Sequence, residues 1–237
     1  MSKYIFLRVF VFSLLAVLGG IYLSSLQPLQ TDHVGYPWQI EQLPGGQIRV
    51  FSLTLGQSSL DDAQQLFKET AEITLFMPAK VQQGSTRSEQ KSLRTQRVEG
   101  FFAQVKAGGL KAKMVMAIDV PENEIKAMYN RGVRIATLGS GTRKVTLSDA
   151  DALKVRTLPI SSITYLPSVN LKASLIEKRF GQPAEKRADP VSDAIHWLYP
   201  ELGLDVVLSK TSKEVIQYVE PDRFDELLKP LTSGQKE

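Results

Sequence analysis

Apolar positions along this chain change period several times. Residues Val9 to Leu23 are almost continuously apolar, and no charge follows Arg8 until Asp32. From Trp38 the pattern alternates: Trp38 to Leu43 and Gln47 to Leu55 flank the turn Pro44-Gly45-Gly46, which predicts a β-hairpin. Ser58 or Ser59 then caps a helix whose Leu60, Ala63, Leu66 and Phe67 share one face, with Asp61 and Asp62 at its positive end. Glu72 to Met77 predicts a strand. Val98 to Val105 and Leu110 to Ile118 predict a second hairpin around Ala107-Gly108-Gly109. Pro121 to Tyr129 predicts a helix with its acids at the start. Arg134 to Leu138 and Arg143 to Leu147 follow as short strands joined by Gly139-Ser140-Gly141, then a helical turn from Asp149 to Val155 and a strand from Ser162 to Leu166.

In the final third, Asn170 reads as the cap of a helix from Leu171 to Phe180, stopped by Gly181 and Pro183. Ala194 to Tyr199, Leu204 to Leu208 and Glu214 to Val219 predict three short strands. Asp222 caps a last helix through Leu228, and the end of the chain, from Thr232, frays. The fold class is α+β: an N-terminal transmembrane helix followed by two related helix-plus-antiparallel-sheet modules. The expected divisions are a membrane segment over 1–26, a spacer over 27–36, a first module over 37–160 with a polar loop at 82–97, a second module over 161–230 and a tail over 231–237.

The membrane segment sets the compartment. Its densely apolar part spans only Val9 to Leu23, so at about 1.5 Å per residue it needs Ser24 to Leu26 and the flanks to approach the ~30 Å hydrocarbon core. The alternative to an uncleaved anchor is a cleavable export signal with Lys3 and Arg8 as its basic start. Cleavage favours small residues at −3 and −1, whereas Tyr22/Ser24 and Leu23/Ser25 put a bulky residue at −3. Either way the two cations keep the N-terminus in the cytoplasm and send the body across. The expected location is the bacterial inner membrane, single-pass through residues 9–26, with the body in the periplasm.

Composition narrows the function by exclusion. The 237 residues contain no cysteine and two histidines, His33 and His196. Disulfide scaffolds, thiol catalysis, iron–sulfur clusters and cysteine-ligated zinc are excluded. The formal net charge of +4 includes Lys3 and Arg8, and without them 27 basic side chains face 25 acidic ones. A body that near neutrality carries no electrostatic footprint for nucleic acid.

No motif assembles a reaction centre. Ser88-Glu89-Gln90-Lys91 has the serine-x-x-lysine spacing of acyl enzymes without their companion motifs. Gly139-Ser-Gly-Thr-Arg-Lys144 reads as a hairpin turn rather than a phosphate loop, and Ser148-Asp149-Ala150-Asp151 as a helix start rather than a calcium loop. Alternation puts Ile195, Trp197 and Tyr199 on one face of a strand and His196 with Leu198 on the other. No cofactor and no metal is expected. The candidate partner contacts are the basic side chains Arg87, Lys91, Arg94 and Arg97, together with Trp197 and Tyr199. For the two aromatics the alternative is core packing; for the loop it is a solvated segment.

The two halves also match each other. A capped helix ends in Leu66-Phe67 or Arg179-Phe180, and a later hairpin turns through Gly109-Leu110 or Gly203-Leu204. The strands entering those turns are Phe101 to Val105 and Ile195 to Tyr199. Gly56-Gln57-Ser58 before Asp61-Asp62-Ala63, and Arg179-Phe180-Gly181-Gln182-Pro183 before Trp197-Leu198-Tyr199-Pro200, resemble the SmpA/OmlA (BamE-like) family of small periplasmic modules. Asn170 to Val219 carries most of the likeness and Leu55 to Ile118 a looser one. The chain lacks that family's lipidation cysteine and has Lys68-Glu69-Thr70 where the first helix would stop at glycine-x-proline. As a whole it looks like a membrane-anchored protein of gamma-proteobacteria. The resemblance implies binding or assembly with an envelope protein rather than catalysis. The alternative is an envelope enzyme, or an enzyme inhibitor, whose site forms only in the tertiary fold.

Overall fold

The structure, a computed structural model, describes residues 34–78 and 96–232. Among them are five α-helices and two antiparallel sheets. The expected membrane segment lies outside the described residues, and no helix among those described is long and apolar enough to cross a membrane. The α+β class holds.

A small sheet comes first: β1 (Ile40–Gln42), β2 (Ile48–Val50) and β3 (Leu53–Thr54) in the order β1-β2-β3. The alternating run Gln47 to Leu55 is thus broken in two by a turn at Phe51-Ser52, both at positive φ. Helix α1 (Leu60–Phe67) starts at Ser59 in a capping box: the Asp62 N–H donates to Ser59 Oγ and the Ser59 N–H donates to Asp62 Oδ2. It buries Leu60 and Ala63.

The large sheet is built from β4 (Glu72–Met77), β5 (Arg97–Ala107), β6 (Leu110–Ile118), β7 (Arg134–Thr137), β8 (Arg143–Thr146), β9 (Ile160–Pro167), β10 (Glu185–Ala188), β11 (Ile195–Tyr199), β12 (Leu204–Leu208) and β13 (Val215–Val219). Its spatial order is β10-β11-β12-β13-β9-β6-β5-β4-β8-β7, antiparallel throughout. Helices α2 (Glu122–Asn130) and α3 (Asp149–Arg156) flank the β7–β8 hairpin in sequence, and α4 (Ala173–Phe180) and α5 (Asp225–Thr232) flank β10–β13. Ser148 caps α3 as the sequence predicts, accepting from the Asp151 N–H. Helix α4 begins later than expected, with Lys172 at its N-cap, so Asn170 caps nothing. The last helix runs through Thr232, a residue placed in the tail by the sequence reading.

One face of the large sheet carries the core. Leu75, Val98, Phe102, Met114, Met116, Ile163, Tyr165, Val206, Ile216 and Tyr218 are each 0% exposed and belong to one apolar cluster. Gly100 leaves room on this face for α1, since a Cβ there would come within 2.7 Å of Leu60. The small sheet packs over the central pair β9–β13: Phe51 stacks on Tyr165 at 5.3 Å and meets Tyr218 edge-on at 5.6 Å. The Tyr218 hydroxyl donates to the Pro37 carbonyl at 2.6 Å. On the opposite face, Leu198, Val219 and Phe224 form a smaller cluster with Leu227 and Leu228 of α5. The division expected after residue 160 falls inside β9, whose strand neighbours are β6 and β13.

Candidate functional site

Of the side chains singled out in the sequence, His196 acquires the most definite chemistry. The β11–β12 hairpin pairs Leu198 with Asp205, which makes His196 and Asp205 diagonal neighbours on one face. His196 Nδ1 lies 2.7 Å from Asp205 Oδ2, and His196 Nε2 lies 3.5 Å from Asp189 Oδ2. The pair is sealed, with His196 8% and Asp205 1% exposed. Asp189 is held in turn by the Val191 N–H at 2.8 Å. Arg187, directly across from His196, is occupied by Glu185 through two 2.8 Å bonds.

These contacts set the protonation. Burial lowers the His196 pKa, but the hydrogen bond and charge of Asp205, with Asp189 behind it, outweigh burial and leave it above the ordinary histidine value. Burial pushes Asp205 up, partly offset by His196. The Val191 amide, opposed by burial and helped by His196, leaves Asp189 below the usual carboxylate range. A histidine bonded to one buried acid and facing a second is a positioning device: its Nδ1 ties β11 to β12, while its buried Nε2 makes no hydrogen bond among the described residues and faces the Asp189 carboxylate that follows β10. Its Nδ1 partner supplies the orienting acid of a catalytic triad, yet Nε2 faces a carboxylate where a triad would place a hydroxyl.

The other candidates are distributed. Arg87, Lys91 and Arg94 lie outside the described residues, as do the Ser88–Lys91 tetrad and His33. Arg97 opens β5 instead of closing a loop; it pairs with Glu99, and its guanidinium sits 5.4 Å from the Phe76 ring centroid. Trp197 and Tyr199 are 7% and 5% exposed, core residues that offer no ring to a partner. Lys186 Nζ covers Trp197 at 3.9 Å, and the Tyr199 hydroxyl donates to the Gly181 carbonyl at 3.0 Å. Gly139 to Thr142 lie in the β7–β8 connection, and Arg143 and Lys144 open β8. Asp61 pairs with Arg156 at 2.6 Å and Asp151 with Arg131 at 2.7 Å, both structural ion pairs.

Two clefts open beside α1. One of about 400 Å³ is lined by Ser52, Thr54, Gln57, Ser58, Asp62 and Leu66, and one of about 350 Å³ by Asp61, Gln64, Lys68, Glu69, Thr70 and Arg156. Neither includes a residue of the His196 group. The sequence reading missed Asp205 and Asp189 as partners of His196. The available signal was Asp205 itself, a lone acid inside the apolar run Leu204-Asp-Val-Val-Leu208, across a tight turn from a histidine in an equally apolar strand.

No protein-family description matches the chain, and no curated protein matches it. A solved structure similar to it is the crystal structure of a DUF4309 family protein, YjgB, from Bacillus subtilis. The identity is 12%, with 76% of this chain and 85% of that chain covered and a TM-score of 0.34. A likeness at that level carries no argument about this protein.

Proposed function

We propose that this chain is a binding or assembly factor of the bacterial cell envelope, held to the inner membrane by its N-terminal segment. Its body is read as two copies of one unit, a helix followed by a four-stranded meander. In the first copy α1 precedes β4, β5, β6 and β9; in the second, α4 precedes β10, β11, β12 and β13. Each set lies side by side in the large sheet in that order. The segment α2-β7-β8-α3 is an insertion between the third and fourth strands of the first copy.

Residue correspondences support the duplication. Helix-ending Phe67 packs on Phe102 of the second strand at 5.6 Å, and Phe180 packs on Tyr199 of its second strand at 5.9 Å. The fourth strands β9 and β13 pair with each other, Tyr165 opposite Ile216 and Ile163 opposite Tyr218. A two-fold rotation there superposes Ile163-Thr-Tyr165-Leu on Ile216-Gln-Tyr218-Val. The resemblance to SmpA/OmlA modules points the same way.

The observation that carries the binding reading is the face opposite the core. Phe76, Phe101, Val115, Leu166, Val207 and Val215 are half-buried there, on strands of both copies. These side chains alternate with Glu99, Lys113, Thr164 and Gln217, and a sheet face mixing half-buried apolar and polar side chains in this way suits protein contact. The experiment is photo-crosslinking in intact cells from Lys113, which the register places on that face between Val115 and the β5–β6 turn. A discrete adduct with an envelope protein is expected, and failure to form one from Lys113 or from Thr164 overturns the reading. The second reading, an envelope enzyme or enzyme inhibitor, draws on the His196–Asp205 contact. It predicts an activity lost in His196→Gln without loss of the adduct.

A further inference from the structure

The large sheet ends in β10 on one side and β7 on the other, and the two edges are finished differently. β10 reads Glu185-Lys-Arg-Ala188, with Arg187 clamping Glu185 and Lys186 lying over Trp197. Charge on an edge strand is a standard protection against further pairing. β7 reads Arg134-Ile-Ala-Thr137 and carries one charge. Around it Val133 is 73% exposed, Ile135 46% and Leu138 42%, whereas beside β10 the exposed large apolar side chains, Val191 and Ile195, lie in the β10–β11 connection and on β11 and not on the edge strand itself.

The register says what this edge offers. The Leu138 N–H donates to the Thr142 carbonyl at 2.8 Å, and Ile135 lies opposite Val145. Inward and outward groups alternate in an antiparallel ladder, so Arg134, Ala136 and Leu138 turn their N–H and C=O toward β8. Ile135 and Thr137 turn theirs outward, on the side of β7 where the sheet has no further strand among the described residues. Val145 is 0% exposed, so a strand laid beside Ile135 extends the main core by one strand.

We infer that the outer edge of β7 is a strand-addition site for an extended segment of a partner polypeptide in which apolar and acidic side chains alternate. Charge selects this occupant. From Asn130 to Ser148 the chain has Arg131, Arg134, Arg143 and Lys144 and no acid. Asp151 occupies Arg131 and Glu72 occupies Lys144, while Arg143 lies against the Tyr129 ring. Arg134 is exposed with no ion pair among the described residues. A second copy of this chain would bring one basic hairpin against another. An alternating strand instead sets its apolar side chains beside Ile135 and its acids beside Arg134, because those two residues lie on opposite faces of β7.

This inference deepens the binding reading, and its test is separate: purified full chain and a synthetic probe. The probe is a short, amidated, fluorescently tagged peptide alternating Val with Glu, and its counterpart alternates Val with Lys. Anisotropy measures capture, and amide hydrogen exchange measures protection at Ile135 and Thr137. The Val/Glu peptide is expected to bind and to slow exchange at those two amides. Ile135→Lys weakens capture about tenfold. Should that variant fold poorly, Arg134→Glu keeps the test intact, since it reverses the preference toward the Val/Lys peptide. Equal binding of both peptides, protection at β10 instead of β7, or no binding at all overturns the inference. So does a concentration-dependent dimer that already protects Ile135 and Thr137. Loss of peptide binding alongside a retained Lys113 adduct removes this edge and leaves the wider binding reading in place.

Discussion

Phe51 joins the small sheet to the paired strands β9 and β13, and it does so from an unfavourable backbone conformation. Val50 pairs with Leu53 around Phe51 and Ser52, whose φ values are 53° and 63°. Turns of this shape favour Gly, Asn or Asp, and a bulky side chain at positive φ costs about 1–2 kcal/mol. The Phe51 ring, 1% exposed between Tyr165 and Tyr218, offsets that cost. Phe51→Ala removes the ring and keeps a Cβ at positive φ, so it destabilises by about 3–5 kcal/mol. Phe51→Gly removes the same ring and releases the strain, and glycine's greater unfolded-state entropy takes back about 0.5–1 kcal/mol. The glycine variant is therefore expected to be more stable than the alanine variant by about 0.5–1 kcal/mol, the reverse of the order in ordinary strand or helix positions. Urea unfolding of both purified variants, followed by tryptophan fluorescence, gives the comparison. A glycine variant less stable than alanine, or an alanine variant within about 1 kcal/mol of the parent, refutes the reasoning.

Three further outcomes follow from the same contacts. Tyr165 and Tyr218, on the neighbouring strands β9 and β13, answer removal of the hydroxyl differently. The buried Tyr165 hydroxyl has no hydrogen-bond partner among the described residues and burial pushes its pKa to about 12, so Tyr165→Phe is neutral or stabilising. Tyr218→Phe loses the 2.6 Å bond to Pro37 and costs about 1–2 kcal/mol in the same unfolding assay. His196, with a folded pKa above its unfolded value, contributes stability that is full below about pH 6.5 and lost as pH rises through the folded value. Asp205, also raised, acts in the same sense, whereas Asp189, lowered, adds stability lost only as pH falls through its own folded value. Parent stability relative to His196→Gln is thus expected to decline as pH rises from about 6.5 through the folded value, and unfolding midpoints measured across a pH series check it. Gly203→Ala sets a Cβ 1.9 Å from the Val219 carbonyl oxygen at a φ of +60°. A cost above about 2 kcal/mol is expected, read as a fall in the thermal midpoint.

What the sequence disclosed was local. The hairpin β5–β6 and the strand Glu72–Met77 follow from alternation, and α1 and α3 from Ser59 and Ser148 with acids in the next turn. Phe51 escaped because an aromatic in an alternating run reads as strand interior, whereas here tertiary packing of its ring holds a turn that local preference disfavours. β10 escaped because Glu185-Lys-Arg-Ala188 is polar, as an exposed edge is. The helix-and-hairpin patterns were visible, but the pairing of β9 with its neighbours was not. β9 meets β6 only after α2, β7, β8 and α3 have intervened, and no local pattern announces such a contact. For the same reason His196 was visible as a lone histidine, while Asp205 and Asp189 became its partners only through the β10–β11–β12 register.

The central claim is that this body works in the envelope, on the far side of the inner membrane. A phosphatase reporter that needs disulfides to fold, fused after Thr31, tests it most directly, because such bonds form outside the cytoplasm and this chain has no cysteine to interfere. Full reporter activity in intact cells is the predicted result. An inactive phosphatase, with a cytoplasm-dependent reporter active at the same position, contradicts the account.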